Sequence, residues 1–353
     1  MTFRSNHYVP VLKIKRGEKD ALRAIPASLS AGITPLLEVV ERVDGKTVAK
    51  HIDTAFKGLQ ESTRLYPRCL VDAKALAPDG ETAAHEVFNR ASADGMVFTP
   101  VTGMSRSVDV DPALLHSNNG IAIRLTVEEF ESGGLAYRLS KFVETHKLSP
   151  TQVDLIVDLG PVDKLIYDGV QLLASSFLSA VPDHSLWRTL TLSGCAFPQT
   201  MGGVKSASHD LVERNEWRTW RDHLYANRRT LARLPTYSDC GIQHSKGVEG
   251  FDFRTMQASA AIRYTLDENW LLIKGRGTRT NPAKIQFPGL AKSLVYGRHA
   301  TNYAGASHCT GCTDMKAAAH GVPKLGSPEV WRRLGTIHHI MTVVRALTAL
   351  PWP

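Results

Sequence analysis

Three acidic residues lie late in apolar, strand-like runs of the chain, and they are the residues best suited to chemistry. They are Glu38, Asp72 and Asp158. Carboxylates that converge from different strands could share a divalent metal ion, or could divide the work of a general acid and a general base. We therefore treat Glu38, Asp72 and Asp158 as the candidate catalytic residues.

Basic and polar residues occupy the same late positions on other runs. They are Lys13 and Lys15 on the first run, Lys74 on the third, Arg124 on the fifth, Ser193 on the seventh and Asp239 on the eighth. The cations could hold a phosphate or a carboxylate, and arginine is the better bidentate donor. We expect these six residues to contribute to ligand binding.

Two interpretations of this set remain open. A charge that is buried without a partner is too unfavourable to retain, so the residues must be paired, solvated or bound to a ligand. A ligand pocket is one possibility, and a salt-bridge network that plugs the structure is the other. The number of different runs that contribute favours the pocket.

The runs that carry these residues alternate with amphipathic helical segments. Strand-like runs lie at 8–15, 33–40, 69–74, 96–101, 121–125, 153–159, 188–193 and 237–242. Helical patterns lie at 18–25, 48–65, 81–93, 135–146, 162–180 and 213–234. This rhythm predicts an α/β fold, a (β/α)8 barrel of the TIM type, in which the ends of the strands meet at one mouth. A doubly wound open sheet would show the same alternation and is the alternative.

The pattern changes after Gly241. Two strand-like runs, 258–266 and 270–274, are joined by Asp267-Glu268-Asn269, which predicts a β-hairpin. Ser327 and Pro328 form a typical helix start, leading to a helix through Leu347 that would close the barrel. We expect one barrel domain over residues 1–353, with 244–325 as an insertion or lid.

The segment 213–234 places several arginines on one helical face, with Trp217 and Trp220 between them. Such a face could hold phosphates or stacked bases. A solvated exterior with the tryptophans packed inward is the more common arrangement. Binding of nucleic acid is therefore the less favoured alternative.

A CxxC motif, Cys309 to Cys312, follows His308, and the pair His338-His339 lies downstream. Four nitrogen and sulfur ligands would satisfy zinc, but a second cysteine pair with the usual spacing is missing. A redox motif would normally follow a thioredoxin-like strand, which the pattern lacks. In a helix only one of the two histidines is expected to face the core. We assign no metal ligands here, and the sequence names no cofactor.

The bulk composition is that of a globular protein. The hydrophobic fraction is 43%, the charged fraction 22% and the formal net charge +8. A basic balance admits polyanionic or acidic partners, but the excess is spread along the chain. The sequence has no apolar run of membrane-spanning length and no apolar leader, and its odd count of five cysteines is typical of a reducing compartment. We expect a soluble, cytoplasmic protein.

Several stretches resemble the Beta family of phage and prophage proteins. They are 8–18 (Tyr-Val-Pro-Val-Leu-Lys-Ile-Lys-Arg-Gly-Glu), 33–38 (Ile-Thr-Pro-Leu-Leu-Glu), 261–265, 270–275 and 331–339. The family is named for a satellite-phage protein encoded beside a toxic protein, Gop, which it counteracts. The resemblance implies an antiphage defence component with a Gop-like toxin as its partner, and it supplies no catalytic residues. The cysteine-rich segment 306–312 departs from the family pattern.

The resemblance and the residues combine in two main hypotheses. In the first, the chain restrains a partner toxin, and a charged ligand pocket lies at the barrel mouth. In the second, it is a barrel hydrolase or lyase that acts on a phosphorylated or nucleotide-like substrate, with or without a metal. We favour the first.

Overall fold

The computed structural model describes residues 3, 6–247 and 258–352. Its strands are β1 (Tyr8–Lys13), β2 (Leu36–Glu38), β3 (Cys69–Asp72), β4 (Phe98–Thr102), β5 (Ile121–Leu125), β6 (Val153–Pro161), β7 (Thr189–Cys195), β8 (Ser208–Glu213), β9 (Thr236–Asp239), β10 (Ser259–Thr265) and β11 (Asn269–Gly277). Strands β1 to β7 and β9 form a closed barrel in that order. All of its neighbours pair in parallel, and β9 closes the ring on β1. The predicted (β/α)8 barrel is confirmed, and the open-sheet alternative is wrong.

Helices connect the barrel strands and surround them. They are α1 (Arg16–Arg23), α2 (Ala27–Ser30), α3 (Val48–Phe56), α4 (Leu59–Thr63), α5 (Glu81–Ala93), α6 (Val110–Leu115), α7 (Val127–Glu131), α8 (Leu135–Thr145), α9 (Tyr167–Ala180), α10 (Asn215–Arg218), α11 (Ala283–Val295), α12 (Thr310–Ala319) and α13 (Pro328–Ala349). The single helix expected over 48–65 is two helices, because Gly58 between them has a φ of 70°. None of the helices in the described residues is both long and apolar enough to cross a membrane.

The register of the barrel places the candidate residues in rows. Lys13 pairs with Glu38, and Glu38 pairs with Asp72. On the other side of the barrel, Asp158 pairs with Ser193, and Ser193 with Ser238. Since the strands are parallel, these late positions all lie at the carboxyl end of the barrel.

A second sheet lies outside the barrel. The predicted hairpin is present as β10 and β11, but β8 adds a third, antiparallel strand with Asn269 opposite Glu213. Strand β8 was not predicted, because its residues are mostly polar and it is only partly buried. The helix predicted over 213–234 is therefore wrong in its bounds. It begins later, at Asn215, because Glu213 belongs to β8, and it ends earlier, since a π-helical segment continues α10 only to Tyr225.

The C-terminal helix closes the barrel as expected. Ser327 caps α13 by accepting the Val330 N–H, at 3.2 Å. The helix packs closely: a Cβ on Gly335 would lie 2.7 Å from Ile242 Cδ1 and 2.9 Å from the Arg263 carbonyl oxygen. Only glycine fits this approach without movement of its neighbours.

The predicted insertion, residues 244–325, contains β10, β11, α11 and α12. Residues 248–257 of that range lie outside the described residues. Its role as a lid, like the division of the chain into one domain, stays a prediction.

Candidate functional site at the barrel mouth

Arg124 is the centre of the barrel mouth. Its Nη1 donates to Glu38 Oε1 at 2.6 Å and to Asp72 Oδ2 at 2.8 Å, and its Nε donates to Asp158 Oδ2 at 2.8 Å. One guanidinium group from β5 thus joins the three predicted catalytic carboxylates of β2, β3 and β6. The arginine occupies the position between the carboxylates where a shared divalent cation would have to lie.

Two further cations complete this group. Lys13 Nζ lies 2.6 Å from Glu38 Oε2, and Arg106 Nη1 donates to Asp72 Oδ1 at 2.8 Å. We call these residues the mouth cluster: Lys13, Glu38, Asp72, Arg106, Arg124 and Asp158. The cluster has an inner and an outer part. The Asp72, Arg124 and Arg106 side chains are 1%, 5% and 8% exposed, whereas those of Asp158, Glu38 and Lys13 are 11%, 13% and 18% exposed.

The ion pairs keep two of the predicted catalytic carboxylates, Asp72 and Glu38, ionised. Burial alone would raise the pKa of Asp72, but Arg106 and Arg124 outweigh it and hold that pKa well below its ordinary range. Burial acts in the same way on Glu38, and Arg124 and Lys13 lower its pKa. A general acid must carry a proton near neutral pH, so Asp72 and Glu38 are poorly suited to that role.

Asp109 is a different kind of carboxyl group at the same end of the barrel. Thr102 Oγ1 donates to its Oδ1 at 2.5 Å, and Arg106 Nη1 lies 3.7 Å from its Oδ2. Burial raises the pKa of Asp109 to about 6, although Arg106 acts in the opposite direction. Sequence reasoning missed both Arg106 and Asp109 because they lie in the loop after β4 and not on the strand. The signal was that β4 was the only predicted strand with no charged or polar candidate assigned to it.

Ser193 lies in the wall of the mouth beside Ser238. Both side chains are 1% exposed, and neither hydroxyl oxygen has a hydrogen-bond partner among the described residues. Buried hydroxyl groups are normally hydrogen-bonded. Ser193 therefore retains the capacity to bind that we predicted for it.

Lys15 and Lys74 are exposed at the rim of the mouth. Each follows the last residue of its strand, β1 or β3, by two positions. The backbone N–H of Lys74 donates to Asp72 Oδ1 at 2.9 Å, and the Lys74 side chain is exposed. Burial of the Lys15 ammonium, with Arg332 nearby, lowers the pKa of Lys15. Neither lysine is needed to pair the mouth cluster.

The structure does not bring Asp239 to the mouth. Its carboxylate accepts hydrogen bonds from Tyr8 Oη at 2.6 Å and from Tyr237 Oη at 2.7 Å, and it lies 3.0 Å from His339 Nε2 of α13. The side chain therefore faces the outer side of the barrel wall, where it is 1% exposed. Burial would raise the pKa of Asp239, but His339 and Arg214 hold it well below its ordinary range. This cluster joins β1, β9 and α13.

A second charged network lies at the opposite, amino-terminal end of the barrel. Asp154 accepts from Arg68 Nη2 at 3.0 Å, from Arg188 Nε at 2.9 Å and from Thr189 Oγ1 at 2.7 Å. The three charged side chains are at most 9% exposed. Charged groups at this end of such barrels stabilise the fold. These residues were not predicted as a cluster because they lie before or at the start of their strands.

The arginines of 213–234 do not form a free basic face. Arg214 is 1% exposed, Arg218 stacks on the Tyr167 ring at 4.7 Å, and Arg221 makes ion pairs with three acidic residues. Trp217 and Trp220 are each 1% exposed. This is the packed exterior that we preferred to a nucleic-acid surface.

Two clefts lie away from the mouth in the described part of the chain. A cleft of ≈ 420 Å³ is formed between β8, β11 and α11, with His209, Gln286 and His299 in its lining. Another, of ≈ 430 Å³, lies beside Asp53 and Arg90. At the mouth, by contrast, Arg124 and its partners fill the end of the barrel.

The solved structures that resemble the chain include a thiamine phosphate pyrophosphorylase from Pyrococcus furiosus (11% identity, 69% of this chain and 91% of that chain, TM-score 0.31) and a triosephosphate isomerase from Bartonella henselae (10%, 65% and 91%, TM-score 0.26). No curated protein matches the sequence. The family model described as "Beta protein" matches residues 8–345. The chain therefore belongs to the Beta protein family.

Proposed function

We propose that this protein is a cytoplasmic component of phage conflict, which restrains a partner toxin by binding it at the barrel mouth. The observation that carries the proposal is a mouth filled by ion-paired carboxylates and bordered by the exposed side chains of Lys15 and Lys74. Membership of the Beta family supports the context.

The filled mouth favours contact with a macromolecule over enclosure of a small substrate. Small-molecule sites are concave and bury most of the ligand. Here the inner residues Asp72 and Arg124 are already satisfied by each other. What remains accessible is the charged outer part of the mouth cluster, and charged rims of this kind steer and select protein partners. The exposed lysines indicate that the partner surface is acidic.

The test is co-expression with the neighbouring toxin, using the double variant Lys15→Glu/Lys74→Glu. Both side chains are exposed and have no ion pair in the described part of the chain, so the variant should fold. A matched control is Lys57→Glu/Lys147→Glu, which makes the same charge change on loops at the amino-terminal end of the barrel. We expect the mouth variant to lose protection and to bind purified toxin about tenfold more weakly or worse, with the loss greater at low salt.

The control variant should protect as well as the wild type. If both variants protect fully and bind the toxin with wild-type affinity, the mouth does not bind the partner. If both lose protection equally, only net charge matters. Either result overturns the proposed surface.

Asp109 supports a second candidate function, the hydrolase or lyase. A buried carboxyl group with a pKa of about 6 is suited to proton transfer near neutral pH. The two functions differ in what Asp109→Asn does. If the variant still binds the toxin but no longer protects, the chain acts by catalysis; if binding and protection are both retained, the enzyme hypothesis loses its best residue.

A further inference from the structure

The CxxC motif lies at the point where α12 meets α13 and the outer sheet. Cys309 is the N-cap of α12, and its Sγ accepts the backbone N–H of Cys312 at 3.3 Å. The two helices approach closely here, since a Cβ on Gly311 would lie 2.7 Å from the Leu334 carbonyl oxygen. This approach brings the start of α12 against the middle of α13, where His338 lies.

One thiol and two imidazoles converge at this point, and a second thiol, that of Cys312, lies beside His338. One ligand atom each from His308, Cys309 and His338 lie within 4.8 Å of one another. Cys312 Sγ lies 3.3 Å from His338 Nδ1. A tetrahedral metal ion needs four such atoms around a common centre.

The hydrogen bonds around the histidines orient them as metal ligands are usually oriented. His338 Nε2 lies 2.8 Å from the Thr265 carbonyl oxygen, which can only accept, so the proton is on Nε2 and the lone pair is on Nδ1. His308 Nε2 lies 3.2 Å from Thr342 Oγ1, a hydroxyl that can accept its proton and so leave Nδ1 to bind a metal. Metal-binding histidines characteristically donate their second ring N–H to a carbonyl or similar acceptor in this way.

We propose that Cys309, Cys312, His308 and His338 form a structural zinc site that fastens the start of α12 to α13 and β10. Thiolate and imidazole ligands select zinc among the common divalent ions. Four protein ligands leave no open position, as in structural sites. Each thiol gives up its proton when the ion binds.

The low exposure of the cluster supports a structural ion over a redox pair. Cys312 is fully buried, His338 is 1% exposed and Cys309 is 9% exposed. A redox CxxC must present its attacking thiolate to another protein. The zinc site also explains the paired histidines: His338 faces the cysteines, while His339 faces Asp239 and the barrel wall. Both are buried, so the expectation that only one would face the core was wrong.

The first experiment measures the metal content of the purified full-length protein by mass spectrometry. We expect about one zinc ion per chain, and loss of that ion in Cys309→Ser and in His338→Gln. Cys69→Ser and His116→Gln are the matched controls, because these residues lie on β3 and after α6, away from the cluster. Both controls should keep their zinc.

A second measurement does not depend on the folding of any variant. Wild-type protein is stripped with a chelator and titrated with Co²⁺, which should give the visible absorption of tetrahedral cobalt bound by thiolates. Absence of zinc together with absence of that absorption would overturn the proposal. A Cys309–Cys312 disulfide, found by rapid alkylation in protein that is isolated without metal, would also overturn the proposal and would instead identify a redox pair.

Discussion

Replacing Arg124 by methionine tests whether the mouth cluster is stabilised by its central charge. The substitution keeps the apolar length of the side chain but leaves Glu38, Asp72 and Asp158 without their shared cation. Arg124 and Asp72 are at most 5% exposed, so solvent screens their interaction little. Removing one partner of a buried ion pair typically costs about 3–5 kcal/mol, because the remaining charge stays buried. We expect a loss of that size at about pH 7.

The loss should depend on pH with a defined sign. In the wild type the folded-state pKa values of Asp72 and Glu38 are lowered, so the stability that these groups contribute is present above the unfolded pKa and disappears as the pH falls through the folded one. In the variant, Asp72 keeps Arg106 and Glu38 keeps Lys13, but the loss of Arg124 raises both pKa values above those in the wild type, so the ionised forms are less stabilised at neutral pH. The difference between the two proteins should therefore shrink when the pH is lowered to about 4.

Urea unfolding followed by tryptophan fluorescence gives both numbers, since Trp217 and Trp220 are buried. Arg90→Met is the control: Arg90 pairs with Asp53 and Asp94 on the surface at 31% exposure and should cost less than about 1 kcal/mol. A loss below about 1 kcal/mol for Arg124→Met at both pH values would refute the reasoning. The reasoning would also be refuted if the difference in unfolding free energy between the wild type and Arg124→Met grew as the pH was lowered.

Three further substitutions test other parts of the structure. Gly335→Ala should lower the free energy of unfolding by about 1–3 kcal/mol, because the new Cβ would lie 2.7 Å from Ile242; an unchanged urea midpoint would show that α13 can shift. Asp154→Asn should lower the free energy of unfolding by about 3–5 kcal/mol, because it leaves Arg68 unpaired. The variant that remains folded should protect normally, and a loss of protection in the folded variant would contradict a purely structural role. Asp109→Asn should raise the free energy of unfolding at about pH 7. The pKa of Asp109 is raised to about 6, so its ionisation opposes folding as the pH rises from about 4 to about 6. Equal or lower stability of the variant at about pH 7 would contradict this.

The barrel could be predicted because its signal is local and repeated. Seven of the eight apolar runs carry a charged or polar candidate late in the run. The parallel register then places five of these residues together without any long-range information: Lys13, Glu38, Asp72, Arg124 and Asp158. Which charge would be central could not be predicted, since it depends on the reach of Arg124 across the barrel.

The features that were not predicted from the sequence share one physical cause. Their positions depend on contacts with residues that are distant in the chain. β8 is polar and becomes a strand only because β11 offers it an edge. Asp239 lies late in its strand like the others, but its position in the pleat directs the side chain outward to His339, 100 residues away in the chain. Arg106 and Asp109 reach the mouth from a loop, whose path no periodicity reveals.

The two ends of the barrel use the same chemistry for different purposes. At the amino-terminal end, Asp154 and the arginines that surround it are closed off, with no charged member more than 9% exposed. At the mouth, the inner pair of Asp72 and Arg124 is equally closed, but Glu38 and Lys13 extend that network to the surface. The ligand pocket and the salt-bridge plug are thus not exclusive alternatives. The inner part of the mouth cluster plugs the barrel lumen, and its outer part, which includes Glu38 and Lys13, reaches the surface. A change at Arg124 would disturb the fold and the surface together. Lys15 and Lys74 make no ion pair in the described part of the chain. They are therefore the residues whose substitution best separates an effect on binding from an effect on the fold.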